Sequence, residues 1–69
     1  MSERINELDP LELRCLTLAA HGRTREDMTR ETDIPMARID GALEDAMRKL
    51  QASNLAEAVF RAARLDLIS

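Results

Sequence analysis

The stretch "RTREDMTRETDIPMARIDGALEDAMRKL" (Arg23–Leu50) decides the fold. Thr24 is a good N-cap, and Asp27 three residues on completes a capping-box pattern. Glu26 and Asp27 suit the positive end of the helix that follows, and Met28 is its main apolar anchor. Pro35 cannot continue that helix but can start the next. A tight turn is therefore expected at 32–35, with Ile34 as its buried plug. From there Ile39, Leu43, Ala46, Met47 and Leu50 recur at spacings of three and four. That periodicity predicts an amphipathic helix over 36–50. Its opposite face carries Ala37, Asp40, Gly41, Glu44 and Arg48.

The flanking segments read the same way. In "LDPLELRCLTLAAHG" (Leu8–Gly22), Asp9 is an N-cap, Pro10 suits the first helical position and Glu12 completes a second capping box. Leu8 and Leu13 are placed for a hydrophobic staple across that cap. Leu13, Leu16 and Ala20 follow at helical spacing, and Gly22 supplies a left-handed stop. The first helix is expected over 10–21. In "QASNLAEAVFRAARLDLIS" (Gln51–Ser69), Asn54 is an N-cap with Glu57 three residues later, which predicts a last helix over 55–65. Residues 1–7 are polar and expected to form a disordered tail, leaving one domain over 8–69. The chain is all-α, with four short helices and a middle pair joined in a helix-turn-helix arrangement.

Composition limits what such a chain does. It has 69 residues, enough for one small core, and 45% of them are apolar. Tyr and Trp are absent and Phe60 is the only aromatic ring, which removes base stacking as a route to single-stranded nucleic acid. The net charge is −3, where a dedicated nucleic-acid binder usually carries a basic excess. The single cysteine, Cys15, excludes an intramolecular disulfide and is expected to be a small core residue. No apolar run reaches the roughly 18 residues of a membrane span, and no signal sequence is evident. A cytoplasmic setting without membrane contact is the expectation. His21 has no second histidine or cysteine near it in the sequence, so no metal site is expected. No serine–histidine–acid set or glycine-rich phosphate loop is seen. No enzymatic activity and no cofactor are expected.

Four segments together resemble the LuxR-type (GerE-like) helix-turn-helix domain. "LDPLELRCLTLAAHGRT" is similar to that family's "L-T-P-x-E … L-x-L-x-A-x-G-x-[ST]", and "EDMTRETDI" to "K-E-I-A-x-x-L-x-I". "RIDGALEDAMRKL" follows "T-V-x-x-H-x-x-x-I-x-x-K-L", and "SNLAEAV" follows "x-N-R-x-E-A-V". The register holds without a gap from Leu8 to Ile68. The resemblance implies four helices, a third helix lying in the major groove of double-stranded DNA, and a fourth forming a dimer surface. It implies a small stand-alone transcriptional regulator that binds DNA as a homodimer. Carried onto this chain, the DNA-facing positions are Arg23, Thr24, Arg25, Ala37, Arg38, Asp40, Gly41, Glu44 and Arg48. The dimer positions on the last helix are Leu55, Ala56, Phe60, Ala63 and Leu67.

The departures from the family pattern fall on the reading face. Asp40, Gly41 and Glu44 stand where Lys, Arg or other polar residues are common. Ala37 replaces a frequent basic residue, Arg38 the threonine, Ala42 the histidine, Leu55 an arginine, Pro35 the Ser or Thr of the turn and Gln51 the glycine after the third helix. Carboxylates in a groove are repelled by phosphate, although one can accept a hydrogen bond from cytosine N4. Two i,i+4 pairs, Glu44–Arg48 and Asp45–Lys49, would also draw cations away from DNA. Arg23, Arg25 and Arg38 remain to form a modest basic patch, where Thr24 and the amides beside it could take a phosphate. Gly41 costs about 1 kcal/mol relative to alanine inside a helix, and close approach of a partner or DNA would account for it. An alternative function follows from the same residues. The chain could be a protein-interaction module that regulates transcription by pairing with another regulator, a sigma factor or polymerase.

Overall fold

The computed structural model describes residues 8–68; the tail expected at 1–7 lies outside them. Four helices and no strand are found among the described residues: α1 (Pro10–Ala20), α2 (Arg25–Thr32), α3 (Met36–Lys49) and α4 (Leu55–Arg64). The class is all-α. Each helix starts and stops within a residue or so of where its capping residues place it. Asp9 and Thr24 both form full capping boxes, with Glu12 and Asp27 as the returning acids. Asn54 caps α4 by accepting the Glu57 N–H, while the Glu57 carboxylate reaches one residue further back to the Ser53 N–H.

Three helices end alike. After α1, Gly22 is left-handed (φ 85°), and the Arg23 N–H bonds back to the Leu18 carbonyl. After α3, Gln51 is left-handed (φ 56°), with the Ala52 N–H on the Met47 carbonyl. After α4, Asp66 does the same (φ 61°), with the Leu67 N–H on the Ala62 carbonyl. These are Schellman closures, which satisfy carbonyls that a helix end otherwise leaves open. The α2–α3 connection is three residues long. Asp33 turns left-handed (φ 62°), Ile34 tucks partly against the core and Pro35 occupies the N-cap of α3.

α3 is the central element and touches all three others. Its first half packs Ile39, Ala42 and Leu43 against Cys15 and Leu18 of α1 and Met28 of α2. Its second half packs Ala46 and Leu50 with Leu8, Leu16, Ala58, Ala62 and Ile68. Leu55 at the start of α4 joins both clusters. Cys15 is fully buried, and burial pushes its thiol up from its ordinary value, so it stays protonated as a core residue. Leu8 and Leu13 share the second cluster, as a staple across the α1 cap requires. Ala20, expected in the buried stripe of α1, is exposed. It sits in the last turn, where the chain is already leaving toward Gly22. The buried face of α1 is Glu12, Cys15, Leu16 and Leu18.

Glu12 is the one buried charged residue among those described, at 2% exposure. Its Oε1 accepts from the Asp9 N–H (3.0 Å) and from Lys49 Nζ (2.9 Å), and its Oε2 also accepts from Lys49 Nζ (3.1 Å). The N-cap of α1 is thereby tied to the last residue of α3. The carboxylate bonding holds the Lys49 ammonium above the usual lysine range. The same contact corrects an expected pair. Lys49 reaches Glu12 on α1, and Asp45 adds only a weaker field to it.

Candidate functional site

The face in question is made by the start of α2 and the outward side of α3. At the start of α2 the Asp27 N–H donates to Thr24 Oγ1 (3.1 Å), and the Thr24 N–H donates to the Asp27 carboxylate (3.0 Å). These two amides are therefore committed, and a carboxylate already occupies the positive end of the helix. The Thr24 N–H, then Thr24 Oγ1, hold Asp27 below the usual carboxylate range. Arg30 is ion-paired with the same carboxylate.

Three arginines of this face have carboxylate partners. Arg23 donates through Nε to Glu31 (2.8 Å) and through a terminal nitrogen to the His21 carbonyl (3.2 Å). Arg25 is ion-paired with Asp40 across the gap between α2 and α3. Arg48 is ion-paired with Asp45 one turn back on its own helix. The expected Glu44–Arg48 pair is absent: Arg48 takes the neighbouring carboxylate, and Glu44 has no ion-pair partner among the described residues. Arg38 likewise pairs with no carboxylate there.

α3 itself presents Ala37, Arg38, Gly41, Glu44 and Arg48 to solvent, with Asp40 partly covered. Ala42, on the other side, is buried. A Cβ placed on Gly41 would meet nothing within 4 Å, so no segment of this chain approaches it closely. The N-terminus of α3 has no side-chain cap and no acid in its first turn. The Arg38 and Ile39 N–H groups bond to the Pro35 carbonyl, which leaves the Met36 and Ala37 amides open, in contrast to the start of α2.

The residues expected to form a dimer surface divide. Leu55 packs into the core and Leu67, turned back by the left-handed Asp66, packs against it. Ala56, Phe60 and Ala63 stay exposed, Phe60 at 60%. Arg64 lies over the Phe60 ring, 5.6 Å from its centroid. Beside this ring runs a groove, lined by the end of α3 and by α4, that includes Arg61 and Leu65. Neither residue stood out in the sequence, although Arg64 four residues after Phe60 signals the stacked pair. Among the described residues no group of three His, Cys, Asp or Glu side chains could hold a metal ion. No helix there is long and apolar enough to cross a membrane. Comparison with protein-family models, with curated proteins and with solved structures finds no match.

Proposed function

We propose that this chain is a LuxR-type helix-turn-helix regulator that acts on transcription through protein contacts, its groove-reading surface having been given up. The family assignment rests on the ungapped resemblance over Leu8–Ile68, and a four-helix all-α fold is compatible with it. One observation carries the choice of mechanism. Of the arginines on the face of α2 and α3, Arg23, Arg25 and Arg48 are each ion-paired with a carboxylate of those same helices. Neutralising DNA phosphates with free cations is the source of non-specific affinity. A face where Glu31, Asp40 and Asp45 match three arginines, and Glu44 offsets the remaining Arg38, releases few counterions. The chain would then act in the cytoplasm by pairing with another regulator, a sigma factor or polymerase.

A second reading is a homodimer that binds double-stranded DNA directly, with Phe60 at the centre of an α4 pairing. The specific observation in its favour is the open N-terminus of α3, where Arg38 stands beside uncapped amides. Exposed ion pairs are weak, so a phosphate could take Arg25 from Asp40 at modest cost. The two readings part on one experiment, a titration of the full chain with duplex DNA across salt concentrations. The protein-contact reading expects no saturable binding at low salt. The DNA reading expects binding that weakens steeply as salt rises.

A further inference from the structure

We infer that the groove between the C-terminal end of α3 and α4 receives an acidic amphipathic helix of another protein, an inference that rests on the protein-contact reading above. The groove encloses about 580 Å³. Leu50, Phe60 and Leu65 supply its apolar lining, with Phe60 60% and Leu65 47% exposed. Lys49, Arg61 and Arg64 line it with cations against a single lining carboxylate, Glu57. Arg61 already shares Glu57 (2.7 Å) and Lys49 shares Glu12. Arg64 has no carboxylate among the described residues; its guanidinium is held over the Phe60 ring instead. An incoming apolar side chain would bury the ring, and an adjacent carboxylate would meet an arginine already oriented by it.

The sign of charge selects the occupant. The chain as a whole is −3, so an acidic partner is repelled by most of its surface and attracted at this groove. The shape selects a helix. Apolar anchors one turn apart lie naturally in a trough between two helices. A second copy fits less well. α4 has 10 residues and is thus about 15 Å long. A two-fold pairing along it alone falls short of the roughly 800 Å² per partner of a stable interface. A foreign helix that also touches the end of α3 is held on two sides.

The test uses the full chain, isotopically labelled, and a synthetic amphipathic peptide of about 18 residues, long enough to form helix when bound. It carries Leu anchors one turn apart with Glu on the flanks; a control peptide carries Lys for Glu. The acidic peptide should shift the amide resonances of Leu50, Phe60, Arg64 and Leu65 saturably, and the Lys peptide should not. Arg64→Glu should weaken binding about tenfold or more through charge reversal, and Arg64→Gln by less, with the helical circular dichroism of both variants unchanged. No shift at millimolar acidic peptide overturns the inference, as does equal binding of the Lys peptide. Shifts of the same resonances on concentrating the chain alone overturn it too, because they give the groove to a second copy. Duplex DNA binding at low salt with the peptide shifts intact removes the protein-contact reading and upholds the groove. Absence of both removes the groove alone.

Discussion

The guanidinium of Arg25, in the first turn of α2, is ion-paired with the carboxylate of Asp40 on the outward side of α3. The two side chains are 40% and 48% exposed, so solvent screens the pair and its contribution to stability is below about 1 kcal/mol. Its larger consequence is electrostatic. It joins the two elements that would flank a DNA backbone and leaves no net charge between them. Glu44 one turn along α3 then offsets the exposed Arg38, so the face carries no basic excess.

Reversing those carboxylates should create what the face lacks. Asp40→Lys with Glu44→Lys is expected to leave the fold intact, since both side chains are at the surface. It should also give the chain measurable affinity for random duplex DNA. The slope of log affinity against log salt should steepen by up to about 2, one unit for each added phosphate contact. Mobility shifts of wild type and variant across a salt series check this; identical curves would show that this face never meets DNA.

Core truncation tests the packing. Leu16 and Leu43 are fully buried, one in each half of the core. Leu16→Ala or Leu43→Ala should cost about 2–5 kcal/mol through lost burial and the cavity left behind. A domain this small has little stability beyond that. Either variant should be largely unfolded at room temperature in a thermal melt.

Two positions, one in α3 and one just after it, invite stabilising changes. Gly41 lies mid-helix with open space where its Cβ would sit. Gly41→Ala should therefore stabilise the fold by about 0.5–1 kcal/mol. Gln51 holds a left-handed conformation that glycine adopts without strain. Gln51→Gly should add about 0.5–1 kcal/mol, the relief of strain exceeding the extra freedom of the unfolded chain. Chemical denaturation midpoints measure both.

Acid should weaken the helix starts. Asp27 is held below the ordinary carboxylate range by the Thr24 N–H, and Glu57 by the Ser53 N–H and then by Arg61. A carboxyl group with a depressed folded-state value stabilises the fold above its unfolded value. That stability is lost as pH falls through the folded value. The window opens near pH 4, the ordinary carboxylate value, and extends downward. Asp27→Asn with Glu57→Gln should be less stable than wild type at pH 7, with the gap closing as pH falls from about 5 toward 2. A gap that stays constant with pH would show that these carboxylates are not linked to folding.

Much of the architecture was legible because helix ends are written locally. Asp9, Thr24, Asn54, Pro35 and Gly22 each mark a boundary through bonds to residues a few positions away, and those bonds form as the spacing requires. Contacts made across elements were not legible. The i,i+4 rule assigns Arg48 to Glu44 and Lys49 to Asp45, yet Arg48 takes Asp45 and Lys49 reaches 37 positions back to Glu12. No spacing rule announces that contact, because it depends on where α1 lies beside α3. The Arg25–Asp40 pair, 15 positions apart, escapes for the same reason. On α4 the resemblance gives Leu55, Ala56, Phe60, Ala63 and Leu67 one shared surface, and the fold divides them. Leu67 leaves it because Asp66 turns the chain back, and Leu55 because it fills the gap between the two halves of the core.

The most direct measurement is a titration of the unmodified chain against random duplex DNA and a panel of promoter-length duplexes. It should be run at about 10–20 mM salt, where electrostatic attraction is least screened. A face whose arginines, Arg38 apart, are ion-paired and which has no basic excess predicts no saturable shift with any of them. Tight, sequence-dependent binding that falls steeply with added salt would contradict the account and return Arg23, Arg25 and Arg38 to the DNA backbone.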